Sequence, residues 1–233
     1  CTIYDWEFNN IVNSQNEPGT PIYVQNSNLV LNDTTFESNG QILFKNTIVN
    51  IDGCTFTSNN GTQGGAINAD ASSDLTVTGS KFSANVASDK GGAIYATKLK
   101  IEGTKFYGNI ADLGGAVYIT DDANSPVNIT GCVFDFNIAT SYRNIFTESQ
   151  TREINLEFNE YDLNLTIIPK DASYGSEYIV EGDFDWGTNL NNNNTILMGY
   201  LDDENLFADL ITVENNKYKI NMGVLSGGSH ELS

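Results

Sequence analysis

Short alternations of apolar and polar residues recur along the first two thirds of the chain, and they align on a phenylalanine. Phe8, Phe36, Phe56, Phe82, Phe106 and Phe134 follow one another at intervals of 20 to 28 residues. Five residues before them stand Ile3, Leu31, Ile51, Val77, Ile101 and Ile129; seven before stand Cys1, Leu29, Val49, Leu75, Leu99 and Val127. Alternate residues of a strand share one face. Each copy therefore predicts a short strand with two inward positions, a bend, and a second strand centred on Phe. The bend falls three residues before Phe, at Asp5, Asp33, Gly53, Gly79, Gly103 and Gly131. Gly and Asp tolerate positive φ better than most residues. Three residues after Phe stand Asn39, Asn59, Asn85, Asn109 and Asn137, and only the first copy departs, with Ile11. Helical periodicity is absent, which predicts an all-β chain.

A unit of this length cannot bury its own apolar face, so copies must stack, like residue on like, with about 4.8 Å between coils. The expected fold is a right-handed parallel β-helix, a pectin-lyase-like solenoid. The Phe column becomes an interior stack and the Asn column a ladder of amides bonding between coils. Six copies span residues 1–147. A further stretch, Arg152 to Phe158, does not fit the columns when aligned on Phe158 and reads as a transition or cap, closing a β-helical domain over 1–160. Residues 161–233 carry alternating strand-like runs such as "SEYIVEGDF" and "KYKINMG" between turn-rich pieces. This spacing predicts a small immunoglobulin-like β-sandwich. "LSGGSHEL", with His230 where a corner Tyr often stands, suggests that the sandwich is truncated at its C-terminal end.

After the Asn column three copies carry Gly-Gly-Ala-aliphatic, beginning at Gly64, Gly91 and Gly114. The aliphatic of each copy (Ile22, Leu43, Ile67, Ile94, Val117, Ile145) is expected to point inward. The next residue would then point outward, giving the column Tyr23, Phe44, Asn68, Tyr95, Tyr118 and Phe146. Such an aromatic stripe suits sugar rings or an apolar partner. Its plainer reading is mutual stacking that stabilises the face. These six residues are the candidate ligand-binding set, with Asn68 as a hydrogen-bonding interruption.

Charge narrows the partners. Thirty acidic residues against 11 basic ones give a formal net charge of -19. That disfavours nucleic acid and anionic membranes. No apolar run is long enough to span a bilayer, so no membrane insertion is expected within these residues. Lys81, Lys90, Lys98, Lys100 and Lys105 form a local basic island that would suit an anionic glycan or, more plainly, is a solvated face. Asp121 and Asp122, with Asn124, are the one loop whose acidic density would suit Ca²⁺. It matches no calcium-binding spacing, and a solvated loop is the simpler reading, so no cofactor or metal is expected. Cys1, Cys54 and Cys132 read as small buried fillers. The start at Cys1, inside a strand pattern, reads as a fragment of a longer protein. A monomer is expected.

Catalysis on such a scaffold needs carboxylates clustered on neighbouring coils with Arg, Lys or His beside them. The column four before Phe reads Tyr4, Asn32, Asp52, Thr78, Glu102 and Thr130, so acids do not stack. Both arginines, Arg143 and Arg152, lie at the end of the repeat, and the single His is His230. No catalytic residue is assigned. A polyuronide lyase or hydrolase and a purely structural cell-wall spacer remain the alternatives.

Phe-x-x-Asn repeated with Gly-Gly-Ala-Ile/Val resembles the β-helical passenger regions of polymorphic membrane proteins. A β-helix followed by an immunoglobulin-like domain, in an Asn-rich acidic chain, resembles the adhesin-like surface proteins of methanogenic archaea. That resemblance implies extracellular display on the cell surface, attachment to other cells or surface glycans, and no transferable catalytic residues.

Overall fold

The computed structural model describes residues 1–122, 125–149, 153–157 and 159–161, then 168–169, 178–183, 200–201, 204–205, 211–214 and 217–224. The chain divides into two compact units, the first built on Cys1–Asp162. In it every strand pairs in parallel with its counterpart one turn along, and the result is a β-solenoid.

Four sheets run along its axis. One turn gives their order: Asp74–Thr78 in an entry sheet, Lys81–Ser83 in a Phe sheet, Val86–Lys90 in a corner sheet and Ile94–Ala96 in an aromatic sheet. The entry and Phe sheets have seven strands, the aromatic sheet six and the corner sheet four. The expected inward columns of the entry sheet are in register, with Leu75 between Val49 and Leu99, and Val77 between Ile51 and Ile101. The phenylalanines stack with centroids 4.5 to 5.1 Å apart from Phe8 through Phe134. All except Phe8, which is half-buried at the first turn, are fully enclosed.

Two turns turn the chain around each Phe. The six residues three before Phe all have positive φ, from Asp33 at 47° to Gly53 at 62°. So do the residues two after it, Asn10, Ser38, Ser58, Ala84, Gly108 and Phe136, a column too mixed in type to announce itself. The position two before Phe holds a second device. Thr34, Ser80 and Thr104 each donate a hydroxyl hydrogen bond to the carbonyl two residues back. Cys54 and Cys132 do the same through Sγ, at 3.4 and 3.3 Å. These two cysteines are therefore buried fillers with a bonding role. Burial pushes the Cys132 thiol up to about 11. Cys1 is instead exposed.

The Asn ladder is complete. The main-chain N–H of Asn39, Asn59, Asn85 and Asn109 donates to the side-chain oxygen one turn on, at 3.0 to 3.1 Å. Each side-chain nitrogen donates back to the Phe carbonyl of the preceding turn, as Asn109 does to Phe82 at 3.0 Å. In the first turn Ile11 gives only its main-chain N–H to Asn39.

A seventh turn follows the six. Ile154–Glu157 joins the entry sheet and Glu160–Tyr161 the Phe sheet. Tyr161 caps the phenylalanine stack, 5.3 Å from Phe134. Aligned on Tyr161, Ile154 and Leu156 fall into the two inward columns, so the stretch is a true coil. Anchoring it on Phe158, which lies outside the described residues, hid that.

In the second unit four of the described strands form an antiparallel sheet in the order Ile168–Pro169, Ile179–Asp183, Lys217–Asn221, Ile211–Glu214, and Tyr200–Leu201 pairs antiparallel with Glu204–Asn205 in a second. Tyr218 and Ile220 are buried and alternate with exposed Lys217 and Lys219, as expected of "KYKIN". Leu225–Leu232, including His230, lies outside the described residues.

Candidate functional site

The aromatic sheet owes its shape to the Gly-Gly-Ala motif. Gly64, Gly91 and Gly114 have φ of 74°, 64° and 61°. The second glycine is needed for space: a Cβ on Gly92 would sit 2.0 Å from the Gly115 carbonyl oxygen. The last strand of this sheet follows Tyr142-Arg143-Asn144 instead. Each motif delivers the chain so that Ile67, Ile94 and Val117 point inward, as Ile145 does without it, all fully buried.

The outward column in register is Tyr23, Leu43, Asn68, Tyr95, Tyr118 and Phe146. Leu43, not Phe44, belongs to it. Phe44 pairs with Val24 and Ala69 and is buried in the core, which removes it from the candidate set. Ile42-Leu43-Phe44 is a run of three apolar residues in a copy without Gly-Gly-Ala, so hydrophobicity alone left its register open. Tyr23 is exposed, its hydroxyl on Gln25 Oε1 at 3.1 Å and Lys45 near its ring. Asn68, Tyr95 and Phe146 are half-buried.

The stripe is a stack of rings rather than a row of platforms. Tyr95 and Tyr118 lie 5.5 Å apart at 12°, and Tyr118 and Phe146 5.1 Å apart at 27°. Adjacent strands are about 4.8 Å apart, so outward rings on successive turns cover each other's faces. Tyr118, with a neighbour on both sides, is only 2% exposed and is corrected from an open platform to the buried middle of the stack. Tyr142 leans on the far side of Phe146 at 5.2 Å. The rings offer their edges outward, together with the Tyr95 face above Asn68.

A polar cluster closes over the phenol of Tyr118. Its hydroxyl donates to Glu148 Oε1 at 2.7 Å, and the Asp121 N–H donates to Glu148 Oε2 at 3.1 Å. Lys90 Nζ lies 3.7 Å from Glu148 Oε1 and 4.8 Å from the Tyr118 ring centroid. Burial, reinforced by the Glu148 bond and charge, pushes the Tyr118 phenol far above its ordinary range. Burial also raises Tyr95, with Glu148 and Asp89 adding to it. For Glu148 burial alone would raise the carboxyl, but Tyr118, the Asp121 N–H and Lys90 together hold it below the ordinary range. Lys90 and Glu148 were not singled out as partners in sequence, since they lie two turns apart in the solenoid.

Asp122 accepts the Ser125 hydroxyl at 2.7 Å, and Asn124 lies outside the described residues. Among the described residues no three His, Cys, Asp or Glu side chains are grouped to hold a metal.

The chain belongs to the right-handed β-helix family: residues 1–160 match the family described as "Right handed beta helix region". Over 62 residues it is 42% identical to a Chlamydia muridarum protein named "Probable outer membrane protein PmpG", covering 24% of this chain and 6% of that one. Over 161 residues it is 34% identical to a Dictyostelium discoideum protein named "Metabotropic glutamate receptor-like protein R", covering 64% of this chain and 10% of that one. The chain thus spans a tenth or less of the length of these curated relatives. No solved structure matches it.

Proposed function

We propose that this right-handed β-helix protein is a non-catalytic attachment module displayed outside the cell, which meets other cells or their surface glycans. The similarity to a protein named as an outer membrane protein carries the surface reading. The geometry supports it. A solenoid with every interior polar column bonded to the next turn is a rigid rod, and its outer faces are free to vary in residue type. On this reading the second unit is an immunoglobulin-like module of the kind found in archaeal adhesin-like proteins, and the fragment is monomeric.

The test is retention on whole cells. Purified protein should bind a subset of cell types or glycans on an array and should leave polyuronides such as pectate and alginate unchanged. New reducing ends or unsaturated products at a rate comparable with a lyase would overturn the non-catalytic reading. The buried Tyr118 favours a second reading, a structural spacer, in which the ring stack only stiffens the rod. Failure to bind any cell or glycan, with the fold intact, would select it.

A further inference from the structure

We infer that the outer face of the Phe sheet binds a glycan bearing isolated sulfate groups, through Lys81, Lys105 and Tyr107. This deepens the attachment reading and rests on it for its biological sense. Lys81 and Lys105 are direct partners in register on adjacent turns. Both are exposed. Among the described residues neither has a carboxylate within ion-pair distance, whereas Lys90, Lys98, Lys100 and Lys219 each do. Their neighbours in the same outward column, Thr55 and Val133, are neutral. Like charges placed directly opposite each other oppose strand pairing. In a chain with 30 acids and 11 bases, two stacked lysines without an acid are an arrangement that folding does not call for.

Tyr107 stands two residues beyond Lys105 on the same face and is 50% exposed. Phe136 meets it at 71° with centroids 5.4 Å apart, which holds the ring without the stacking that covers Tyr118. Beside it in register, Ser83 shares a 3.0 Å hydroxyl bond with Thr57. Asp135 lies next to Tyr107 on the following turn. That acid gives the patch a direction: the anionic group belongs over the lysines and the sugar ring over Tyr107.

The chemistry selects the ligand. A sulfate ester has three terminal oxygens, so one group can accept from two ammonium ions on strands about 4.8 Å apart. A sugar ring suits an exposed phenol face. The net charge of -19 disfavours a densely charged polyanion, while screening over about 8 Å at physiological salt leaves contact with a single sulfate to the local lysines. On the adjoining entry sheet Asp74 and Glu102 are already paired with Lys98 and Lys100.

The probes are sparsely sulfated galactan oligosaccharides and the same oligosaccharides after desulfation, titrated calorimetrically. Wild type should prefer the sulfated form. Lys81→Gln with Lys105→Gln should weaken that binding by about tenfold or more, the effect of losing contacts to a charged group, and should not lower the melting temperature, since it removes a like-charge pair. Tyr107→Ala should weaken both forms alike. Equal binding of both forms by wild type, or unchanged affinity in the double lysine variant, would overturn the inference. Cell retention measured in parallel separates the two readings. Cells held by a protein indifferent to sulfate leave attachment standing and sink this site. Sulfate-dependent binding without cell retention does the reverse.

Discussion

At the scale of single residues, a polar group here is costly or cheap according to how many bonds its place demands. The Asn109 side chain makes four: its oxygen accepts from Asn85 N and Nδ2, and its nitrogen donates to Phe82 O and Asn137 Oδ1. The Asn39 side chain makes two, from Ile11 N and to the Phe8 carbonyl. A buried donor or acceptor left without a partner costs about 1–3 kcal/mol. Asn109→Ala should therefore destabilise the solenoid clearly more than Asn39→Ala in urea melts; equal losses would show that the ladder does not carry the load. The Tyr118–Glu148 pair sets a pH dependence. The folded-state value of Glu148 is lowered, so its contribution is present above the ordinary Glu range and is lost as pH falls through that lowered value. Tyr118 is raised, so its contribution holds below the ordinary Tyr range and is lost as pH climbs past it. In Tyr118→Phe the Glu148 carboxyl should titrate closer to its usual value by NMR, and the part of the alkaline loss that Tyr118 contributes should disappear. An unmoved Glu148 titration would mean that Lys90 and the Asp121 N–H suffice.

At the scale of the element, the turns distinguish two uses of glycine. Gly103 has φ of 58° and nothing within 4 Å of where a Cβ would stand, so Gly103→Ala should cost only the left-handed conformation, about 1–2 kcal/mol. Gly92→Ala drives a Cβ into main-chain atoms of the next turn and should cost several times as much, with exchange-labile amides around the Gly115 strand. Comparable melting temperatures for the two variants would refute the close-approach account. The same distinction explains what could be read in advance. Columns whose residues all face the interior repeat in type, because each must match the turn above and below it; hence Phe, Asn and the entry-sheet aliphatics stood out. Tyr161 was missed because an aromatic three residues earlier offered a false anchor. Phe44 was misplaced because Leu43 beside it is equally apolar. The outward partners Lys90, Glu148 and Tyr107 repeat nowhere, since solvent imposes no such matching, and periodicity could not find them.

At the scale of the whole molecule, the solenoid couples each turn mainly to its neighbours, although Lys90 and Glu148 pair across two turns. Gly79 and Gly103 occupy the same place in successive turns, and so do Phe82 and Phe106, Asn85 and Asn109, and Gly91 and Gly114. Excising residues 79–102 would join Thr78 to Gly103. Phe106 would then come to rest on Phe56, and the Asn109 oxygen would receive the Asn59 N–H. Nothing in the bonding scheme records how many turns there are. Length is therefore a quantity that gain or loss of a whole coil can raise or lower without redesign of the shared columns. Copying one coil would lengthen the solenoid by one strand spacing, about 4.8 Å, much as a ladder is extended by adding a rung.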